Sequence, residues 1–305
     1  MITNQHLKGA FMVVLAAGLW GFSGTVAKYF FNKQVDPLIL VQIRLNLSAW
    51  LLLAWLSIKQ RQLLKIERQD YGKIIILGIL GMAGVQFTYL YTVSRVNVAL
   101  AVFLQYLSPV LVSLYAWVWQ KQLPDFRGLL ALILAITGSA LMIMGPELSL
   151  EGIPLDGLLT GLASAVTAAF YTVYGKQVLQ KYTPWTTLGW ALLAGGLPWW
   201  LINSPRRLLA QVNSVETVAF FIYIALFATI IPFGLYFAGL KRISATETVI
   251  ISMLEPVVAA LTAFWFLGER LSLSQIGGGL AIMLAVAILS SGSISIAQES
   301  RVEER

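Results

Sequence analysis

MLEPVVAALTAFWF, Met253–Phe266, lies over an earlier stretch of the same chain, YLSPVLVSLYAWVW, Tyr106–Trp119, at an offset of 147 residues. Just upstream, at the same offset, KRISATETVI (Lys241–Ile250) lies over SRVNVALAVF (Ser94–Phe103). Thr183-Pro184 likewise matches Asp36-Pro37. The chain reads as two related halves, 1–147 and 148–305.

Hydropathy says what each half is. Of 305 residues, 58% are hydrophobic and 11% are charged, against roughly 25% charged in a soluble domain. Mean hydropathy is +0.78. Too few charges remain to coat a globule of this size, so the main solvent is lipid. Apolar windows of about 20 residues recur at 8–31, 36–58, 71–94, 97–119, 126–145, 155–180, 184–203, 216–240, 246–267 and 273–294, each long enough to cross a bilayer. Strand-type alternation is missing, so the predicted fold class is an all-α membrane protein of ten transmembrane helices. Five spans per half is an odd number, so the second half enters the membrane from the opposite side. Inverted five-helix repeats are a signature of secondary transporters that work by alternating access.

The net charge of +7 is not gathered on a polar domain, which speaks for membrane topology and against nucleic acid as a partner. Sorted by alternate loops, 14 Lys and Arg residues fall on the side of the N-terminus, 6 on the other, and Arg44 inside a span. The positive-inside rule then places both termini, including a short C-terminal tail, in the cytoplasm of a cell whose inner (plasma) membrane holds the chain.

Several activities are excluded. The chain has no cysteine and a single histidine, His6, so thiolate chemistry, histidine-based metal sites and histidine relays are out. No Gly-x-x-x-x-Gly-Lys-Ser/Thr loop is present, so nucleotide hydrolysis does not power the cycle. No cofactor, metal or catalytic residue is predicted. GFSG, Gly21–Gly24, has the form of an intramembrane serine protease loop, but no span carries a histidine base. A lipid-modifying enzyme would want acids or histidines clustered at headgroup level, and the short loops are poor in both. Short loops also leave no docking site for a partner protein, and nothing in the sequence fixes an oligomeric state.

LWGFSGTVAK (Leu19–Lys28), Arg44, ALAVFLQYLSPV (Ala99–Val110) and TETVIISMLEPVVAALTAFWFLGERLS (Thr246–Ser272) together resemble the drug/metabolite transporter superfamily, in its EamA-type branch of ten-helix proteins. The likeness runs from about Gly9 to Gly292. It implies an exporter or exchanger of small organic metabolites. Members move amino acids, nucleotide sugars, sugar phosphates, purines and cationic drugs. The family's Gly-Glu at the end of the repeated span stands here as Gly268-Glu269, but the first half has Lys121-Gln122 instead, so any role of that glutamate is not carried over to the first half.

Site chemistry is expected at the matched spans. Gln105 and Ser108 are three apart, and Thr248, Ser252 and Glu255 follow at four and three, so each set shares a helix face. Pro109 and Pro256 follow at once and are expected to kink their helices. Glu255 lies roughly 13 Å into its span, near mid-membrane. An ionised carboxylate there costs about 3 kcal/mol on insertion scales, so it either takes a proton, as a coupling group, or faces a cation. Arg44 is its permanent partner or a second substrate group. Trp20, Gln86, Tyr89, Tyr171, Tyr174 and Tyr236 complete the substrate-binding candidates, since tyrosines hold amines through ring faces and hydroxyls. The expected partners are a small amphipathic metabolite, amino acids and related amines first, protons, and the lipid bilayer. Glycines at 18, 21 and 24 and at 78, 81 and 84 mark close helix packing.

Overall fold

The computed structural model describes residues 2–31, 37–122, 125–143, 154–212 and 214–303. The division between the halves at 147 and 148, and Asp36, lie outside the described residues. Every expected crossing is present. Among the described residues nine are long and apolar enough to cross a membrane: α1 (Ile2–Phe31), α2 (Pro37–Lys59), α3 (Arg68–Arg95), α4 (Val98–Val118), α5 (Phe126–Ile143), α6 (Leu155–Leu179), α8 (Val215–Leu240), α9 (Ala245–Leu267) and α10 (Leu273–Glu303). The other, α7, is broken into α7a (Pro184–Gly196) and α7b (Trp199–Ile202), because Pro198 has no N–H with which to continue the ladder. Helix α10 runs on to Glu303, past the predicted end of its span at 294.

Packing between the halves is reciprocal. Helix α1 packs on α8 and α9, and its counterpart α6 packs on α3 and α4. Helix α2 meets α7, and α5 meets α10. These are the contacts of two inverted five-helix repeats. Gly138 and Gly278 set the α5–α10 approach: a Cβ on either would sit within 2.6 Å of the other's carbonyl oxygen. Among the expected packing glycines, Gly21, Gly78, Gly81 and Gly84 meet neighbours, whereas Gly18 and Gly24 have open space where a Cβ would be.

The repeat extends to irregularities of the backbone. Helix α4 is split into α4a (Val98–Gln105) and α4b (Ser108–Val118), and α9 into α9a (Ala245–Ser252) and α9b (Glu255–Leu267). The starts of all four half-helices and both sides of each break are displaced by the same 147 residues in the second half. The prolines do more than kink these spans: each sits in the first turn of a new half-helix, where its missing N–H costs nothing. Two π-helical turns, Leu77–Ala83 in α3 and Leu226–Ile230 in α8, end at equivalent positions. Both α4b and α9b close with a left-handed residue, Lys121 at φ 55° and Gly268 at φ 69°. Across each end a bond returns six residues, from Gln122 N to Ala116 O at 3.0 Å and from Glu269 N to Ala263 O at 3.4 Å, one residue further than in a Schellman cap. The Lys121-Gln122 departure thus keeps the cap's backbone with a residue that fits it poorly.

The end of the bundle that holds the N-terminus is tied shut by charge. The Asp70 side chain, 3% exposed, meets Lys181 Nζ at 2.6 Å and Lys73 Nζ at 2.8 Å, and accepts from the Tyr182 hydroxyl at 2.8 Å. Lys181 also meets Glu67 at 2.6 Å; its bonds to Asp70 and Glu67 hold its ammonium above the ordinary lysine value. Lys241 donates to Tyr182 O at 3.0 Å, and His6 contacts Glu247 at 2.9 Å. These contacts join loops of both halves. Above them lies a dry core that includes Val13, Ala16, Leu77, Leu179, Leu188 and Phe237.

The break in α7 strands the Gly196 carbonyl, because Trp200 N bonds Leu197 O at 3.2 Å instead. Asn46 of α2 repairs it: Nδ2 donates to Gly196 O at 3.1 Å and Oδ1 accepts from Trp200 Nε1 at 2.9 Å. Two stability predictions follow from unfolding purified protein in detergent. Asn46→Leu orphans both groups and costs about 2–4 kcal/mol. Lys121→Gly relieves left-handed strain and gains about 1 kcal/mol, read as a raised thermal midpoint.

Candidate substrate cavity

Polar side chains converge on one cavity of about 400 Å³ between the halves. Its wall includes Trp20, Arg44, Gln86, Tyr89, Gln105, Ser108, Pro109, Tyr171, Tyr236, Ser252 and Glu255, which are all but three of the positions singled out from sequence; Thr248 is off the wall, its hydroxyl bound to Ser244 O at 2.8 Å. Tyr174 stands outside it and stacks on Phe170 with centroids 5.0 Å apart. Pro256 also lies off the wall, directly behind Glu255. Helix α2 reaches the cavity within its first two turns, at Leu40, Val41 and Arg44, and α3 does so in its last turns, at Val85–Leu90. The cavity therefore occupies the half of the bundle away from the N-terminus. Aromatic rings floor it toward that terminus: Trp20 lies 4.8 Å from Phe233 and 5.6 Å from Tyr236, and Tyr236 shares a 2.7 Å bond with Thr172.

The helix breaks decide what faces the cavity. Gln105 ends α4a and Ser108 begins α4b, so they do not share one helical face as the three-residue spacing suggested. The turn between them still brings both to the wall, together with Tyr106, which spacing did not single out. Glu255 opens α9b, where the unpaired N–H groups and the helix dipole favour a negative charge. Its carboxylate has the Tyr106 hydroxyl as a hydrogen-bonding neighbour. Ser252 is bound to its own helix through Val249 O at 2.8 Å.

Arg44 lines the same cavity but is not ion-paired with Glu255. Its Nε donates to Thr229 Oγ1 at 2.9 Å and its Nη2 to Ala228 O at 3.0 Å, and its guanidinium lies 5.6 Å from the Phe233 ring centroid. Ala228 lies four residues before Pro232, which lacks the N–H that would fill this carbonyl in an α-helix. The π-helical turn and Thr229, whose hydroxyl binds Ile224 O at 2.9 Å, complete the arrangement. Thr229, Pro232 and Phe233 were not flagged from sequence, although a proline inside an apolar span was a readable signal.

The GFSG motif has a packing role. A Cβ on Gly21 would lie 2.5 Å from Glu255 O, 2.8 Å from Val258 Cβ and 2.9 Å from Ala259 N, so only glycine lets α1 touch the break in α9. Ser23 shares a 3.3 Å contact with the Tyr223 hydroxyl and lines the cavity. Among the described residues no group of three His, Asp or Glu could hold a metal ion.

With this geometry in place, comparison with known proteins is informative. The model of the EamA-like transporter family matches twice, over residues 7–144 and 155–291. The inner membrane transporter YicL of Salmonella typhimurium is 29% identical, over 94% of this chain and 96% of its own. A probable amino-acid metabolite efflux pump of the same organism is 26% identical over 92% and 94%. The threonine/homoserine exporter RhtA of Escherichia coli is 22% identical over 89% and 88%. A protein crystal structure 15% identical in sequence superposes with a TM-score of 0.76, covering 96% of this chain and 98% of that one, a likeness of fold.

Substituting the two glycines of α1 separates packing from helix propensity. Gly21→Ala forces α1 off the Glu255 break and costs about 1–3 kcal/mol. Gly18→Ala meets nothing within 4 Å and is neutral, or stabilising by up to about 1 kcal/mol. Thermal midpoints of the two purified variants check the difference.

Proposed function

The chain belongs to the EamA-like transporter family, and we propose that it exports amino acids or closely related amphipathic metabolites by alternating access. That it is a multi-pass membrane transporter of small molecules, and not an enzyme, follows from the family. The observation that carries the finer reading is the placement of Glu255. A carboxylate stands at the start of a half-helix, on the wall of a cavity near mid-span, without a cation at ion-pair distance among the described residues. Gln86, Gln105 and Ser108 stand around the same cavity with no side-chain hydrogen bond among the described residues. Tyr106 is a hydrogen-bonding neighbour of the carboxylate, and Tyr89 is close enough to feel its charge. A carboxylate beside two aromatic rings and several amides suits a primary ammonium. The same carboxylate takes a proton when no amine is bound, which couples transport to pH.

Export from the cytoplasm is supported by two features. The named relatives include an efflux pump and an exporter. The cavity here is sealed toward the N-terminus, the end that the distribution of Lys and Arg assigns to the cytoplasm. In this reading the protein resides in the inner membrane with both termini inside, and the structure is the state that releases substrate outward. The sequence halves at 1–147 and 148–305 serve as the two moving units.

Glu255→Gln keeps the shape of the side chain and removes its charge. In proteoliposomes loaded with threonine, leucine and phenylalanine, wild-type counterflow is expected to vary between about pH 5 and pH 8. The variant is expected to lose that dependence and at least roughly 90% of the rate, with normal insertion and thermal midpoint. An unchanged pH profile in the variant removes Glu255 from coupling. Counterflow of none of the three amino acids by wild type removes the substrate class.

A further inference from the structure

We propose that Arg44 is the centre of a carboxylate subsite, so that the transported molecule must carry an acid group as well as an amine; this rests on the amino-acid reading above. An arginine stays charged inside a span and needs a compensating anion. Glu255 acts on Arg44 through charge but not at ion-pair distance, and no other described carboxylate lies at that distance. Its tethers are neutral. Nε and Nη2 are held by Thr229 Oγ1 and Ala228 O, and no acceptor among the described residues is bonded to Nη1. A guanidinium anchored by one edge keeps its orientation and leaves N–H groups for a ligand.

The surroundings lack acceptors in the same way. Trp20 and Tyr171 both border the cavity and both pack on Phe233, the ring that also faces Arg44. Trp20 Nε1 and the Tyr171 hydroxyl are buried without a partner, and Tyr171 is 6% exposed. Buried donors of this kind are costly to keep. Trp20 Nε1 and the Tyr171 hydroxyl have no surface on the cavity and reach a ligand only as the wall closes on it; with the free edge of Arg44 they then share one remedy, an acceptor-only group such as a carboxylate. Glu255 lines the same cavity, which gives the site two opposite poles and favours a zwitterion over a plain amine. The Ala228 carbonyl that orients Arg44 is free because of Pro232, so the proline-bearing turn of α8 is a positioning device for this subsite.

The test uses purified full-length protein and simple probes, so it does not depend on which amino acid is carried. Binding of benzoate and butyrate, and of the matched amides benzamide and butyramide, is read from ligand-induced shifts of the thermal midpoint at constant ionic strength. Wild type is expected to bind each acid at least about tenfold tighter than its amide. Arg44→Lys retains the charge but loses the fork, and should cut that ratio roughly tenfold. Thr229→Val frees the guanidinium and should cut it several-fold, with Thr229→Ser restoring it. Tyr171→Phe should also lower the ratio, yet leave the unliganded midpoint unchanged or higher, since the hydroxyl has no partner to lose. Acids and amides bound equally by wild type overturn the subsite, as does a ratio indifferent to Arg44→Lys and Thr229→Val. Inorganic phosphate binding more tightly than benzoate overturns the carboxylate assignment. Amino-acid counterflow without acid–amide discrimination sinks this subsite alone, whereas discrimination without counterflow sinks the transport reading alone.

Discussion

A backbone carbonyl that loses its helical partner inside a lipid medium must find another donor, because no bulk water is there to supply one. Much of this architecture follows from that constraint. Proline and π-helical turns interrupt α4, α7, α8 and α9. Helix α2 supplies donors to two of these interruptions. Arg44 fills Ala228 O, Asn46 fills Gly196 O, and Ser48 fills Ala225 O at 3.1 Å. Three side chains within five positions of one helix thus stitch together the irregular parts of α7 and α8. Two of the three are ordinary structural polar groups. The first is a charge, and its remaining edge is turned to the cavity.

The pseudo-symmetry explains where irregularities fall, and the departures from it explain what they do. The split in α4 and the split in α9 coincide residue for residue, yet one half-helix opens with a hydroxyl, at Ser108, and the other with a carboxylate, at Glu255. The caps at Lys121 and Gly268 share a backbone, although only the second suits it. An inverted repeat builds a cavity with two equivalent walls, and a single substitution between them gives that cavity a direction. With Arg44 on one wall and Glu255 on the other, the two walls are unlike in charge. The same repeat supports the alternating access proposed above, because each half offers the contacts that the other must exchange. In the present arrangement the Asp70–Lys181 cluster closes one end, and the aromatic floor at Trp20, Phe233 and Tyr236 separates it from the cavity.

Much of the fold was legible in the sequence. Low charge and recurrent apolar windows set the class and the ten spans, since a bilayer admits few alternatives. The offset between Tyr106–Trp119 and Met253–Phe266 set the repeat, and five spans per half set its inversion. Much of the cavity wall was also legible, because a polar or charged side chain within an apolar span is expensive and is kept for a reason. The misses share a cause. Tyr174 was taken with Tyr171 as a tyrosine able to hold a ligand, but its ring turns to Phe170 instead. Tyr106 reached the wall because the helix breaks beside it, and periodicity assumes an unbroken helix. Thr229 and Phe233 depend on the π-helical turn, which shifts every later side chain around the helix axis.

The sequence by itself determined the solvent, the number of crossings, their inverted pairing and the presence of one acid and one base deep within the spans. It left open whether Glu255 and Arg44 hold each other. Only the tertiary structure decided that they do not. Pro232 and the turn before it lie on a different helix from Arg44, and their freed carbonyl and hydroxyl capture the guanidinium before Glu255 can. Partner choice in a low-dielectric interior is settled by geometry within a few ångströms, and such distances between separate helices are not written in the order of residues along any one of them.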